Sequence, residues 1–389
     1  MKKLFYLLPL VALVFVIHSC SKDDDPEEVL AALKTTVIAN YANLVLNNYQ
    51  AAQADAISLR TAINAFTSNP TQSTFDAAKQ AWLDSRESYG ITEAFRFANG
   101  PIDVIGTEEG PEGLLNAWPL DENFIDYVDG GANDGIVNDL VGFPTLSKDV
   151  LTGENGNGGE ENVSVGYHAI EFLLWGQDLT DPSAEQAGMR PFTDFVNGGT
   201  AENQDRRRQY LEICADLIVD HLQLLIDEWE ATGPYRATFL AQDANVNLAN
   251  MMTGIATLAK GELAGERTFV AYTNRDQEDE HSCFSDNTHR DLRLNFQGIK
   301  NVFLSSIGGV TSSSIADLID SVDESLGAEV RAALEAAETA VEATAIPFDN
   351  AISDDALRPD VLAAVTALQT LGDLIADGGT ALGIQVDTE

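Results

Sequence analysis

From Pro26 onward, apolar positions recur at three- and four-residue spacing along most of the chain. That periodicity predicts amphipathic helices over 27–65, 74–97, 163–175, 201–232 and 246–272, with shorter ones after Leu292. In the 201–232 stretch, Tyr210, Leu211, Cys214, Leu217, Ile218, Leu222, Leu225 and Trp229 form one stripe, and Glu212, Asp216 and Asp220 fall outside it. Thr232-Gly233-Pro234 ends that helix, because glycine closes a C-terminus and proline cannot extend one. Alternating strand patterns are nearly absent and no repeat of solenoid length occurs, so the expected class is all-α, built of helical bundles.

The segment 99–161 breaks the pattern. Gly100-Pro101, Gly110-Pro111, Gly130-Gly131 and the run from Gly153 to Gly159 predict a long irregular insertion between helices. Asp126, Asp129, Asn133, Asp134, Asn138 and Asp139 suggest a calcium loop, but they lack the alternating ligands and the closing acid of an EF-hand. They read instead as a solvated, turn-rich loop. A length of 389 residues fits two domains at about 100–200 residues each. A boundary over 191–200 divides the body into 27–195 and 196–389, with an Ala-rich, scaffold-like C-terminal third.

The N-terminus is of another kind. Lys2 and Lys3 precede an apolar run from Leu4 to Ile17, then His18-Ser19-Cys20. A basic start and about 14 apolar residues make an export signal, too short to span a bilayer comfortably. Ile17-His18-Ser19-Cys20 resembles a lipobox, so residues 1–19 are expected to be removed, Cys20 to carry lipid, and 20–26 to serve as a tether. The expected location is the cell envelope, lipid-anchored in the outer membrane, facing the periplasm or the surface. With Cys20 acylated, Cys214 and Cys283 are the remaining thiols, paired or separate.

The formal net charge is −40, from 22 basic and 62 acidic residues. This excludes nucleic acid as a partner, since phosphate binding needs clustered Lys and Arg. It disfavours anionic membrane surfaces and suits cationic partners, metal ions included, besides keeping the body soluble.

Three constellations could carry chemistry. His168 and Glu171 lie three apart on a strongly apolar helix, with Cβ atoms about 5–6 Å apart on one face. Buried there without partners they would cost several kcal/mol. They are satisfied either by each other or by a metal such as Zn, Fe or Mn, and Gly166 would let a backbone or ligand approach. Arg86, Tyr89, Glu93 and Arg96 follow at helical steps, either as a surface ion-pair ladder or with Glu93 as a third ligand and Arg86 or Arg96 orienting carboxylates. Gly261 and Gly265 offer a shallow face that would put Glu266 at a helix crossing. His281 and His289 stand in the acidic run 277–291, as further ligands or as a solvated connection. No His-Glu-x-x-His helix, Gly-x-Ser-x-Gly elbow or phosphate loop is present.

The stretch from Asn162 to Asp178, with Gly166-Tyr167-His168-Ala169-Ile170-Glu171, resembles the Gly-x-His-x-x-Glu signature of imelysin-like proteins, peptidase family M75. Arg86 to Pro101, Trp118-Pro119-Leu120, Gly261 to Arg267 and Gln277 to Asp291 are also similar to it, particularly to its iron-regulated lipoprotein branch. The resemblance implies two helical domains with a site between them around the signature helix. On the binding reading, His168, Glu171 and Glu93, with Glu266 or His281, hold iron or another divalent metal for uptake, alongside envelope iron-uptake proteins. The alternatives are an M75-type metallopeptidase, with Glu93 as base to a metal-bound water, and an envelope adhesin or scaffold without metal.

Overall fold

A computed structural model describes residues 25–388; the export segment and Cys20 lie outside the described residues. The fold is all-α. The helices are α1 (Pro26–Ser68), α2 (Gln72–Thr92), α3 (Glu112–Leu115), α4 (Glu122–Ile125), α5 (Lys148–Glu154), α6 (Tyr167–Trp175), α7 (Gln204–Trp229), α8 (Pro234–Ala241) and α9 (Ala244–Thr257). A π-helix, Leu258–Val270, continues α9 and runs into α10 (Ala271–Asn274). After it come α11 (Thr288–Leu304), α12 (Ile315–Val322), α13 (Glu324–Ala343), α14 (Phe348–Ser353) and α15 (Arg358–Ala381). Among the described residues strand is confined to two antiparallel ladders of two residues per strand, Val104–Ile105 with Glu108–Glu109 and Ser306–Ile307 with Val310–Thr311.

Local chemistry sets the helix ends. Asp25 caps α1 by accepting from Glu27 N, with Pro26 in the first turn, where its missing N–H costs nothing. Thr71 and Thr74 form a reciprocal cap on α2. The expected helix 74–97 ends early, at Thr92, where a 3-10 turn over Glu93–Phe95 tightens the chain and redirects Glu93. The expected 163–175 helix begins late, because Gly166 sits at φ +95° and takes the cap position.

Packing crosses residue 196. α1 lies along both α2 and α7, while α15 lies along α13 and the π-helix, and α11 touches α2, α13 and the π-helix. The buried apolar cluster includes Leu44 of α1, Leu173 of α6, Leu211 of α7, Leu263 of the π-helix and Leu371 of α15. Two glycines set the α2–α11 crossing. A Cβ on Gly90 would lie 2.8 Å from Leu294 Cβ, and one on Gly298 would lie 2.4 Å from Ile91 O. That approach brings Arg86 and Glu93 within reach of groups on α11 and the π-helix.

The insertion 99–161 is irregular as expected, with α3, α4 and α5 as its only helical turns among the described residues. Its solvated character is only partial. Asp129, Asn133, Asp134 and Asp139 are exposed, but Asp126 is fully buried. Arg207 clamps it through Nε (2.6 Å) and Nη2 (2.8 Å), Arg190 Nη1 donates at 2.5 Å, and Asn138 Nδ2 donates at 3.0 Å. Burial works to raise the Asp126 carboxyl, and the two guanidiniums outweigh it, so it is held below its usual range. A loop that looks like surface is thus pinned into the core by one carboxylate.

Candidate metal centre

Every residue of α6 is buried, which is why its polar members have to find partners inside the protein. The helix is fixed at its N-terminal end. Trp82 Nε1 donates to Tyr167 O at 2.9 Å and Tyr210 Oη to Ser164 O at 2.6 Å. At Gly166 a Cβ would lie 2.7 Å from Leu115 O, so this position serves close backbone approach by α3, and a side chain there would collide with it.

His168 Nδ1 and Glu171 Oε2 share a hydrogen bond of 2.9 Å. Glu171 Oε1 accepts from Ser285 N at 3.0 Å and from Ser285 Oγ at 2.6 Å. Both Glu171 oxygens are therefore engaged, and the carboxyl stands behind the imidazole. His168 Nε2, by contrast, is buried and has no hydrogen-bond partner among the described residues.

The ring of His281 meets that of His168 edge to face, at 4.6 Å between centroids and 79° between planes. His281 is built in the same way as His168. Its Nδ1 bonds Asp291 Oδ2 at 2.8 Å, and its Nε2 faces Asn116 Nδ2 at a long 3.5 Å. Asp291 also accepts from Arg86 Nη2 (2.9 Å), Arg86 Nε (3.3 Å) and Ser282 Oγ. Arg86 Nη1 completes the ring of contacts on Asn116 Oδ1 at 2.6 Å. Two imidazoles, each held at Nδ1 by a carboxylate, meet with their Nε2 atoms free of strong bonds. A carboxylate on Nδ1, as Asp291 is at His281, fixes the tautomer and makes Nε2 more basic, and Glu171 does the same at His168 once it is ionised.

Burial and charge shape the titrations. Burial lowers both imidazoles to about 3, with Arg86 adding at His168 and Arg267 at His281, so both rings are neutral. Burial pushes Glu171 up to about 8, against the Ser285 hydrogen bonds, and Asp291 adds to it. At Asp291 burial is outweighed by Arg86 and His281, and the carboxyl stays well below its usual range.

Glu93 lies in a neighbouring charge network. Its Oε2 accepts from Arg267 Nη2 at 2.7 Å and stands 3.6 Å from Arg96 Nη1. Burial alone would raise this carboxyl, but Arg267 and Arg96 bring it down to about 2. The π-helix explains why Arg267 is there. Its i→i+5 register stacks residues five apart, so Glu262 Oε1 sits under Arg267, 3.0 Å from Nε and 2.9 Å from Nη2. Thr268 Oγ1 similarly bonds Leu263 O. A cleft of about 290 Å3, bordered by Arg96, Glu112, Asn116, Trp118, Glu262 and His281, leads from solvent to His281.

The sequence-predicted residues therefore divide. His168, Glu171, His281 and Arg86 meet at one centre, while Gly166 sits against α3 at the start of the signature helix. Glu93 and Arg96 form the adjoining ion-pair network, where an intrahelical ladder had been one expectation; Arg86 spans to α11 instead. Glu266 is exposed on the rim of the cleft, because the π-helix turns Glu262 inward in its place, and Gly261 and Gly265 make no close helix crossing. His281 is buried, which overturns the reading of its run as a solvated connection, while His289 is half-buried with Nδ1 on Asp286 O. Cys214 and Cys283 are both buried and unpaired. Asp291 and Arg267 stood inside the quoted runs without assigned roles. Ser285 likewise stood inside the run 277–291 without a role, and Asn116 carried no sequence signal.

The body is all-helical, and its Gly-x-His-x-x-Glu helix sets His168 against His281 of a separate loop, the kind of buried signature helix expected of imelysin-like proteins. The profile of that family, imelysin or peptidase M75, matches residues 45–375, and the chain belongs to it. Among relatives, it is 23% identical over 343 residues to iron-regulated protein A of Synechococcus elongatus, covering 85% of this chain and 82% of that one. The crystal structure of an iron-regulated protein A precursor from Parabacteroides distasonis superposes with a TM-score of 0.69 at 17% identity, over 90% of this chain and 95% of the other.

Proposed function

We propose that this chain is an exported, lipid-anchored envelope protein that takes up a divalent transition metal, iron in the first instance, on the Nε2 atoms of His168 and His281. The observation that carries this reading is the buried, partnerless Nε2 of His168 beside a second imidazole of the same construction. An unsatisfied buried nitrogen costs about 1–3 kcal/mol, and a cation between the rings would remove that cost. Imidazole nitrogens suit iron, zinc, copper and nickel. Glu171 and Asp291 would orient the ligands and carry the compensating charge. The names of the two relatives, both iron-regulated proteins, agree with iron as the cargo. The lipid anchor rests on Cys20 and its lipobox-like context.

The peptidase alternative needs a base, and Glu93 is ill suited. A carboxyl held at about 2 by two guanidiniums is a poor proton acceptor at neutral pH.

The test is metal analysis and titration with Fe2+ (anaerobic) and Zn2+ on the mature chain, comparing wild type with His168→Ala, His281→Ala and His168→Gln, each checked for folding by circular dichroism. Loss of one tight equivalent in all folded variants supports the proposal. Equal metal content in every protein overturns it. Chelator-sensitive cleavage of unfolded polypeptide that vanishes in His168→Gln would transfer the site to the peptidase reading.

A further inference from the structure

A second set of acids, two buried and one half-buried, lies outside the histidine centre. Asp178 follows α6, Asp286 sits in the loop before α11 at φ +57°, and Asp349 is in the first turn of α14. One carboxylate oxygen from each lies within 4.8 Å of the others.

The remaining oxygens show which atoms are spare. Asp178 Oδ1 accepts from Thr180 N and Oγ1, and Asp349 Oδ1 accepts from Asn350 N. Asp178 Oδ2 and Asp349 Oδ2 are buried with no hydrogen-bond partner, on residues only 3% and 2% exposed. A third such oxygen, Glu280 Oε1, belongs to a side chain that feels the charges of all three aspartates. Two buried acids with unpartnered oxygens beside a third acid, and no basic side chain bonded to these carboxylates among the described residues, is a costly arrangement.

We propose that Asp178, Asp286 and Asp349, with Glu280 beside them, form a calcium site that pins the 280–287 loop. The donors are oxygens only, which selects a hard cation over iron or zinc. Oxygens around one Ca2+ at about 2.3–2.6 Å lie up to about 5 Å apart, matching the observed spread, whereas Mg2+ at about 2.0–2.1 Å draws them closer. Asp286 is half-buried and leaves a route from water. The loop matters because it also carries His281 and Ser285, the latter bonded twice to Glu171. Calcium here would order the segment that completes the histidine pair, without itself touching either imidazole.

Without a cation, burial and mutual repulsion raise Asp286 to about 7 and Asp349 to about 6, so shared protons are the rival occupant.

The experiment uses the mature full chain, stripped with chelator and held in physiological salt. Calorimetric titration with CaCl2 and thermal unfolding at rising CaCl2 are run on wild type, Asp349→Asn, Asp178→Asn and His168→Gln. Wild type and His168→Gln are expected to bind one calcium per chain and to gain in melting temperature by mass action. Asp349→Asn and Asp178→Asn are expected to remain folded, to lose affinity roughly tenfold or more, and to lose the calcium-dependent gain. Binding unchanged in both aspartate variants would mark calcium as a diffuse surface counter-ion and overturn the proposal. Stronger stabilisation by MgCl2 than by CaCl2 would overturn the calcium assignment. A wild type that responds to pH and to neither cation would leave protons as the occupant and overturn the site. The His168→Gln arm separates failure here from failure at the histidine pair.

Discussion

His168 and His281 touch edge to face at 4.6 Å, one from the signature helix and the other from an acidic loop far along the chain. Their Nδ1 atoms are taken by Glu171 and Asp291, which leaves the Nε2 atoms as the nitrogens without a strong bond. The motif acid Glu171 acts through His168: it holds the ring in place, with Ser285 in turn holding it.

Asp291 is the most connected acid of the centre, bonded to Arg86, His281 and Ser282. Asp291→Asn leaves the Arg86 guanidinium buried without its counter-charge, at an expected cost of about 3–5 kcal/mol. Urea unfolding of the metal-free chain reads this directly. In the protein that remains folded, metal affinity is expected to fall about 10–100-fold, as for other loosened histidine ligands.

Gly166→Ala places a Cβ against Leu115 O and forces alanine to φ +95°. The strain is expected to cost roughly 1–3 kcal/mol, seen as a lower thermal midpoint. The shift of α6 should weaken metal binding as well. An unchanged midpoint would mean that α3 yields without resistance.

Asp126→Asn removes the charge that Arg190 and Arg207 share, and about 3–5 kcal/mol of destabilisation at neutral pH is expected. The folded carboxyl is held below its unfolded value of about 3.9, so the folded state binds fewer protons. Its contribution is complete above that value and is lost as pH falls below it. The difference between wild type and variant in acid unfolding should therefore begin to shrink below about pH 4 and vanish once pH has fallen through the folded value.

Glu262 and Glu266 are separated by one turn but differ in fate. Glu266→Ala should change stability by less than about 0.5 kcal/mol, as an exposed substitution. Glu262→Ala strips Arg267 of one of its two carboxylates and should cost clearly more. Equal effects in equilibrium unfolding would argue against the π-register that separates them.

The helical class, the irregular insertion and the chemical weight of His168 were legible along the chain, because each depends on local spacing. Periodicity located α1, α2 and α7 to within about five residues at each end, and took α9, the π-helix and α10 as one span. It missed the π-helix, since a run with apolar positions at three- and four-residue steps gives no sign of an i+5 register chosen by packing against α11 and α15. It also placed Asp126 in water, because nothing adjacent in sequence announces Arg190 and Arg207.

By itself, the sequence determined the main helical segments and that His168 and Glu171 share one face of an apolar helix. These follow from backbone sterics and the 3.6-residue turn. Tertiary structure alone decided that His281 completes the pair, that Asp291 and Ser285 hold it, that Glu93 is neutralised by Arg267, and that Asp178, Asp286 and Asp349 converge. Such contacts join residues distant in the chain. They exist because burying the apolar faces brings those residues together, and each charge carried inside must then find its partner there.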